Sequence, residues 1–360
     1  MGNEFLIYEY LNRGYTPGPR ELKWPNSPRY NFDELEDRIV STVLKNTPNE
    51  HVGILLSGGL DSSMIYHCLR DKRFPCYVSG SPGDIAKARM WEQFGANVTV
   101  VHEENLFKLV DILSEQFTEC PIQFNSVLPL FSLCERVSQD GIKYFISGEG
   151  GDEIFWGYPR YLNFIDRIKR QNLFSFSELV YYGSGLNNKP MVELLTPDRR
   201  KGDCWEWLQT NKRTEPHQLV CLFDQVWRLP QLMLRNKRVG DIFGIDFIYP
   251  FMDNELVNYV NELDLSLKFR DGIQRYAQKV IARKWLPPQI FNQPKQPFDS
   301  IFSDWFTSKE CRAIVHKMPW ETLDINQHAV DIICQSHVIG RQYDVLMQKL
   351  FYYGVWRRSF

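Results

Sequence analysis

His51-Val52-Gly53-Ile54-Leu55-Leu56 is a short, nearly continuous apolar run, and it stops abruptly at Ser57-Gly58-Gly59-Leu60-Asp61-Ser62-Ser63. Few folds accommodate that junction. An apolar run of this length, bounded by turn residues, matches a strand covered on both faces inside a parallel sheet. The paired glycines let the backbone turn tightly and bring N–H groups close to a bound anion. Met64–Leu69 then reads as a helix whose positive end faces the same place.

The pattern repeats along the next ninety or so residues. Asn31–Leu44 reads as a helix, capped by Asn31, with Phe32, Leu35, Ile39 and Val43 at helical spacing. Strands are expected at Cys76–Ser79, Val98–His102 and Tyr144–Ser147, with helices at Ile85–Phe94, Leu106–Phe117 and Leu128–Ser138 between them. Such alternation predicts an α/β fold with a parallel sheet. Beyond Gly157 the periodicity is mostly helical, broken by turns at Pro190, Pro197, Pro216, Pro230 and Pro250. Three regions follow: an irregular arm over 1–30, a nucleotide-binding α/β core over 31–157, and a mainly helical region over 158–360 that completes the substrate site.

Two loops carry the chemistry. In the first, the hydroxyls of Ser57, Ser62 and Ser63 can join the backbone donors around Gly58 and Gly59. Asp61 would repel a phosphate unless a cation bridged them, which makes it a candidate Mg2+ ligand. No lysine closes the loop, so it differs from the GxxxxGK[ST] phosphate loop. The second loop, Ser147-Gly148-Glu149-Gly150-Gly151-Asp152-Glu153, directly follows a predicted strand. Ligands of parallel sheets bind beyond the carboxyl ends of strands, so both loops should face one crevice. Three acids crowded among glycines call for a cation or a cationic substrate. Asp152 is the candidate second Mg2+ ligand, and Glu149 and Glu153 are candidates to accept from a substrate amine or to help hold the metal.

Bulk composition narrows the classes. Formal charge is −2, from 42 basic and 44 acidic residues, which argues against a nucleic-acid partner. Arg199-Arg200-Lys201 reads as a solvated face; a second basic run is Arg235-Asn236-Lys237-Arg238. The eight cysteines include no CxxC pair and no metal-ligand spacing, which suits reduced thiols in a cytoplasm. There is no eighteen-residue apolar stretch, so no membrane span is expected, and Met1–Phe5 does not begin a secretory signal.

Taken together, Val52–Ser63, Ser147–Tyr158, Tyr249-Pro250-Phe251-Met252-Asp253-Asn254-Glu255-Leu256-Val257 and Gln293-Pro294-Lys295-Gln296-Pro297-Phe298 resemble the synthetase domain of glutamine-hydrolysing asparagine synthetases and the related β-lactam synthetases. The blocks occur in the family's order over roughly residues 30–305. The resemblance implies a five-stranded parallel nucleotide-binding sheet of the PP-loop, adenine nucleotide alpha-hydrolase-like type. It also implies ATP and Mg2+ as cofactors, and an amidotransferase-like ligase that adenylates a carboxylate, releases pyrophosphate and passes the acyl group to ammonia or an amine. By the same resemblance Asp61 and Asp152 match the metal-linked acids, and Leu55, Val78 and Gly148 match the adenosine pocket. Ser57, Gly58, Gly59, Ser62 and Ser147 would line the nucleotide.

The departures from the family are as informative. Gly2 follows Met1 where the family's glutaminase half begins with cysteine, so the synthetase half is expected to stand alone, with ammonia from solution, another amine, or a separate glutaminase subunit as the nitrogen source. The family's catalytic lysine, about twelve residues before a Leu-Pro proline, falls on Arg275, a planar fork in place of a point charge. Lys295 is a second candidate phosphate contact. The family's Glu-x-Arg becomes Asp246-Phe247-Ile248, which weakens the case for aspartate and leaves a small-molecule or peptide carboxylate as the acceptor class. Arg160 is a candidate carboxylate fork. Two alternatives remain open: a different PP-loop enzyme, such as a tRNA-modifying one, and a nucleotide-binding regulator without catalysis.

Overall fold

The computed structural model describes residues 31–103, 106–116, 121, 126–162, 189–196, 207, 210, 216–291, 301, 303–335 and 343–358. The N-terminal arm and Lys295 lie outside the described residues. Helix α1 (Phe32–Asn46) starts where its cap predicts, the Asn31 side chain accepting from the backbone N–H groups of Asp33 and Glu34 at 3.1 Å each. Strand β1 (Val52–Leu55) follows. Helix α2 (Leu60–Leu69) begins four residues earlier than expected, so Asp61, Ser62 and Ser63 lie in its first turn. Asp61 is therefore placed at the positive end of a helix, where a carboxylate is stabilised.

Strand β2 (Cys76–Val78) leads to α3 (Pro82–Arg89), which opens on a Ser81/Asp84 capping box with proline in its first turn. That cap starts the helix three residues ahead of the predicted Ile85, and a 3₁₀ turn over Met90–Phe94 finishes the segment. Strand β3 (Val98–Val100), helix α4 (Leu106–Gln116), helix α5 (Val127–Gln139) and strand β4 (Tyr144–Ile146) complete the alternating unit. The acidic loop then enters a short helix, α6 (Gly151–Phe155).

The sheet has five parallel strands in the order β3-β2-β1-β4-β5. Its fifth strand, β5 (Asp246–Ile248), comes from the C-terminal segment and pairs with β4. It follows α7 (Pro216–Phe223), a π-helical turn over Asp224–Arg228, and α8 (Leu229–Phe243). Val52, Gly53 and Ile54 stand opposite Tyr144, Phe145 and Ile146, so β1 and β4 end at the same height. The chain reverses its order of strand addition between these two strands, the topological switch point at which such sheets bind ligands.

Side chains alternate across the sheet as strand geometry requires. Ile54, Cys76 and Ile146 face a core built with α1, α2, α9 (Asn254–Glu262) and α10 (Tyr276–Trp285). Tyr77, Phe145 and Phe247 face the other core, with α4, α5, α8 and the C-terminal helices α11 (Lys309–His316), α12 (Gln327–Gln335) and α13 (Asp344–Arg358). No helix among the described residues is long and apolar enough to cross a membrane.

Phe145 is fully buried, with the Tyr77 and Phe247 rings 5.9 and 5.7 Å away. Replacing it by alanine should cost about 3–5 kcal/mol in chemical denaturation. A loss below about 1 kcal/mol would show that this face of the sheet is not tightly packed.

Candidate active site

The two glycine loops meet above β1 and β4. Ser57 Oγ lies 3.1 Å from Ser62 Oγ and accepts from the Gly59 N–H at 3.3 Å, while Ser62 Oγ donates to the Gly59 carbonyl at 3.2 Å. These contacts hold the first loop in shape through side chains that can exchange partners with a phosphate. Leu55 and Val78 end their strands beside it, and Val78's carbonyl accepts from the Val101 N–H at 2.8 Å. Ser147, buried beyond β4, donates its backbone N–H to the Ile248 carbonyl at 2.9 Å. Gly148 rests on Asp61 and Ser62: a Cβ there would stand 3.0 Å from the Asp61 Cβ and from the Ser62 backbone nitrogen. Glycine is required again at Gly151, where a Cβ would run into the Asp61 carboxylate. The loops therefore touch, and Asp61 sits in the notch between them.

Asp61 and Asp152, separated by 91 positions in sequence, share one cation. Arg275 Nη1 donates to Asp61 Oδ2 at 2.8 Å, and its Nη2 contacts Asp152 Oδ1. Gln278 Nε2, one turn along α10, donates to Asp61 Oδ1 at 2.6 Å. A Cβ on Gly157 would overlap both Asp152 and the Arg275 guanidinium, so the absence of a side chain there makes room for the pair. Arg275 itself is buried and adopts φ +56°, ψ +38° as the residue that starts α10. Left-handed backbone is uncommon for a residue with a Cβ and is retained where the surroundings demand it.

Asp61 and Asp152 thus converge as candidate metal ligands, and the notch accommodates a cation, since it holds the guanidinium. Among the described residues no group of three or more His, Cys, Asp and Glu is arranged around a single ion position. Phosphate or water oxygens would have to complete the coordination of a magnesium ion there.

Glu149 has a different setting. Its Oε1 accepts from Arg235 Nη2 at 2.5 Å and its Oε2 from Asn236 Nδ2 at 2.6 Å, while Arg235 Nη1 reaches Ser126 Oγ at 2.5 Å. Burial pushes the Glu149 carboxyl above its ordinary range, against the pull of Arg235 and Asn236. Glu153 is buried deeper; burial raises its carboxyl too, while the Tyr158 hydroxyl donates to it at 2.6 Å. Arg160, the candidate carboxylate fork, is already paired with Asp224 and lies 3.8 Å over the Tyr158 ring. Its role in the described structure is a structural ion pair.

The asparagine synthase family model matches residues 34–326. The chain belongs to the asparagine synthase family. Among its relatives are the glutamine-hydrolysing asparagine synthetases of Triphysaria versicolor (24% identical, covering 86% of this chain and 49% of the relative), Sandersonia aurantiaca (23%, covering 82% and 54%) and, from the nodule, Pisum sativum (22%, covering 84% and 50%). The chain spans about half the length of the curated relatives it matches. The five-stranded parallel sheet agrees with the fold that the family resemblance implies.

Arg235, Asn236, Gln278 and Ser126 were not singled out as site residues from sequence. The sequence marks Arg235–Arg238 only as a basic run; in the structure α8 carries its first two residues to Glu149. Gln278 had one available signal, its i+3 spacing from Arg275 on a helix.

Arg235→Ala should destabilise the protein by about 3 kcal/mol at neutral pH, because Glu149 is left without its cation. The sign of the pH dependence follows from the raised Glu149 carboxyl: the fold favours its neutral form, and that contribution is lost as pH rises through the folded-state value. Without Arg235 the carboxyl rises further, so the deficit should be larger at about pH 8 than at about pH 5. Adding Glu149→Gln should remove the difference; a deficit equal at both pH values in Arg235→Ala would show that Glu149 is not the group left unpaired.

Proposed function

We propose that this chain is an ATP-dependent amide-forming ligase that adenylates a carboxylate, releases pyrophosphate and transfers the acyl group to ammonia or another amine. The observation that carries this reading is the convergence of Asp61 and Asp152 across the two glycine loops at the switch point of the sheet, within a family whose relatives named above are asparagine synthetases. Leu55, Val78 and Gly148 would flank the adenosine. The N-terminus of α2, with Ser57, Gly58, Gly59 and Ser62, would take the phosphates, whose charge concentrates on the departing pyrophosphate. A magnesium ion held by Asp61, Asp152 and phosphate oxygens would supply further neutralisation of that leaving group.

The acceptor carboxylate needs positioning more than activation, since it is already a nucleophile. Glu149, held by Arg235 and Asn236, stands on the loop that would border the acceptor and would receive a proton from the incoming amine. Arg275 brings positive charge to the same place and can serve the α-phosphate in the role the family gives to lysine; Lys295 is retained as a further phosphate contact. Ile248 stands where the family resemblance places an arginine, so the acceptor is proposed to be a carboxylate other than aspartate. The nitrogen would come from free ammonia, an amine substrate or a separate glutaminase subunit. Cys68, Cys76, Cys134, Cys221, Cys311 and Cys334 are free thiols, which suits the cytoplasmic setting proposed for an ATP-consuming enzyme.

The test is release of AMP and pyrophosphate from Mg·ATP, first with aspartate and ammonium and then with a panel of carboxylates and amines. Release is expected with at least one acid, and Asp61→Asn should reduce it by about a hundredfold or more. ADP and phosphate as products, or undiminished release in Asp61→Asn, would reject adenylation at this site.

A further inference from the structure

The Asp61–Asp152 pair has two claimants. The Arg275 guanidinium lies between the carboxylates and contacts both, buried, with Gln278 donating to the other Asp61 oxygen. In the proposed reaction the same carboxylates face a divalent cation carried by the phosphates. Two cations cannot share one notch between the same oxygens.

The anchoring of Arg275 shows which part can give way. The preceding residue, Gln274, closes a two-stranded ribbon (β6, Phe269–Arg270; β7, Ile273–Gln274), and its side chain donates to the carbonyls of Trp156 and Tyr158 at 3.1 and 2.7 Å. On the other side Arg275's carbonyl accepts from the Lys279 N–H at 2.8 Å, inside α10. The backbone is pinned at both flanks, so any withdrawal is a rotation of the side chain alone.

A free divalent ion entering the notch would leave the guanidinium buried without an anion, a strongly unfavourable arrangement. A metal–triphosphate complex solves both problems together: the metal takes the carboxylates, and the phosphates offer the fork geometry that a guanidinium binds in bidentate fashion.

We propose that Asp61, Asp152 and Arg275 form a cation-exchange site, in which Arg275 excludes free divalent metal from the acid pair and yields it only when metal and nucleotide phosphates arrive together, its guanidinium transferring to the phosphates. The inference rests on the ligase reading for the identity of the incoming complex. Metal and nucleotide binding are then positively and reciprocally coupled. The exchange also gives a physical reason for arginine at this position: its planar guanidinium presents separate N–H groups to the two carboxylates and can offer the same fork to phosphate, whereas a lysine ammonium is a point charge.

The experiment is binding of Mn2+ to the purified chain, read by the paramagnetic signal of free Mn2+ with and without α,β-methylene-ATP, which cannot be adenylyl-transferred, each titration being corrected for the Mn2+ that the analogue binds without protein. Wild type should bind Mn2+ weakly alone and about tenfold or more tightly with the nucleotide analogue. Arg275→Ala should bind Mn2+ alone about tenfold or more tightly than wild type, and Asp152→Asn in that background should abolish the gain. Arg275→Lys, which keeps the charge, should lie between them, so a poorly folded alanine variant does not leave the question unanswered. Mn2+ binding to wild type that is equally tight without the analogue, or binding to Arg275→Ala and Arg275→Lys no tighter than to wild type, would overturn the exchange. Because no turnover is measured, the predicted Mn2+ pattern in a protein that releases no AMP with any acid would support the exchange while rejecting the ligase reading.

Discussion

The parallel pairing of β1 with β4 is the constraint on which the site depends. Matching Val52 to Tyr144 and Ile54 to Ile146 ends both strands at one level, so the Ser57–Ser63 and Ser147–Glu153 segments emerge side by side. Everything polar follows from that level. A one-residue slip would send Phe145 and its neighbours to the opposite face and separate Asp61 from Gly151. The buried ring cluster of Tyr77, Phe145 and Phe247 penalises such a slip, so packing beneath the sheet holds the chemistry above it in register.

Crowding acids at the end of a sheet has an electrostatic cost, and the chain offsets it with cations delivered from far along the sequence. Asp61 and Asp152 are balanced by Arg275 from the start of α10, Glu149 by Arg235 from α8, and Asp224 by Arg160 just after α6. The Arg275 and Arg235 partnerships tie the C-terminal region to the α/β layer, while Arg160–Asp224 is internal to the C-terminal region. Their removal should be felt more than that of exposed pairs such as Lys237–Asp241, because solvent screens the latter. The Asp61–Asp152–Arg275 group differs from the others in setting one cation between two carboxylates.

Local features were legible from sequence, and distant pairings were not. Strand β1 announced itself by composition, α1 by Asn31, and the two loops by glycines among acids after apolar strands. The convergence of Asp61 and Asp152 was implied by the rule that ligand loops share the carboxyl edge of a parallel sheet. Strand β5, Asp246–Ile248, is no shorter than β2, β3 and β4, but it lies beyond a long helical stretch, outside the strand–helix alternation that marks the others. The start of α2 at Leu60 was missed because the glycine loop and the helix overlap: Asp61 belongs to both. Arg235 reaches Glu149 across 86 positions and Arg160 reaches Asp224 across 64, separations at which charge patterns alone carry no pairing information.

Both glycine loops should contact a single nucleotide. Amide hydrogen exchange with and without Mg·ATP tests this directly. The predicted result is simultaneous protection of residues 57–63 and 147–153, with the far end of the sheet unchanged. Protection confined to one loop, or slowed exchange elsewhere with neither loop affected, would contradict it.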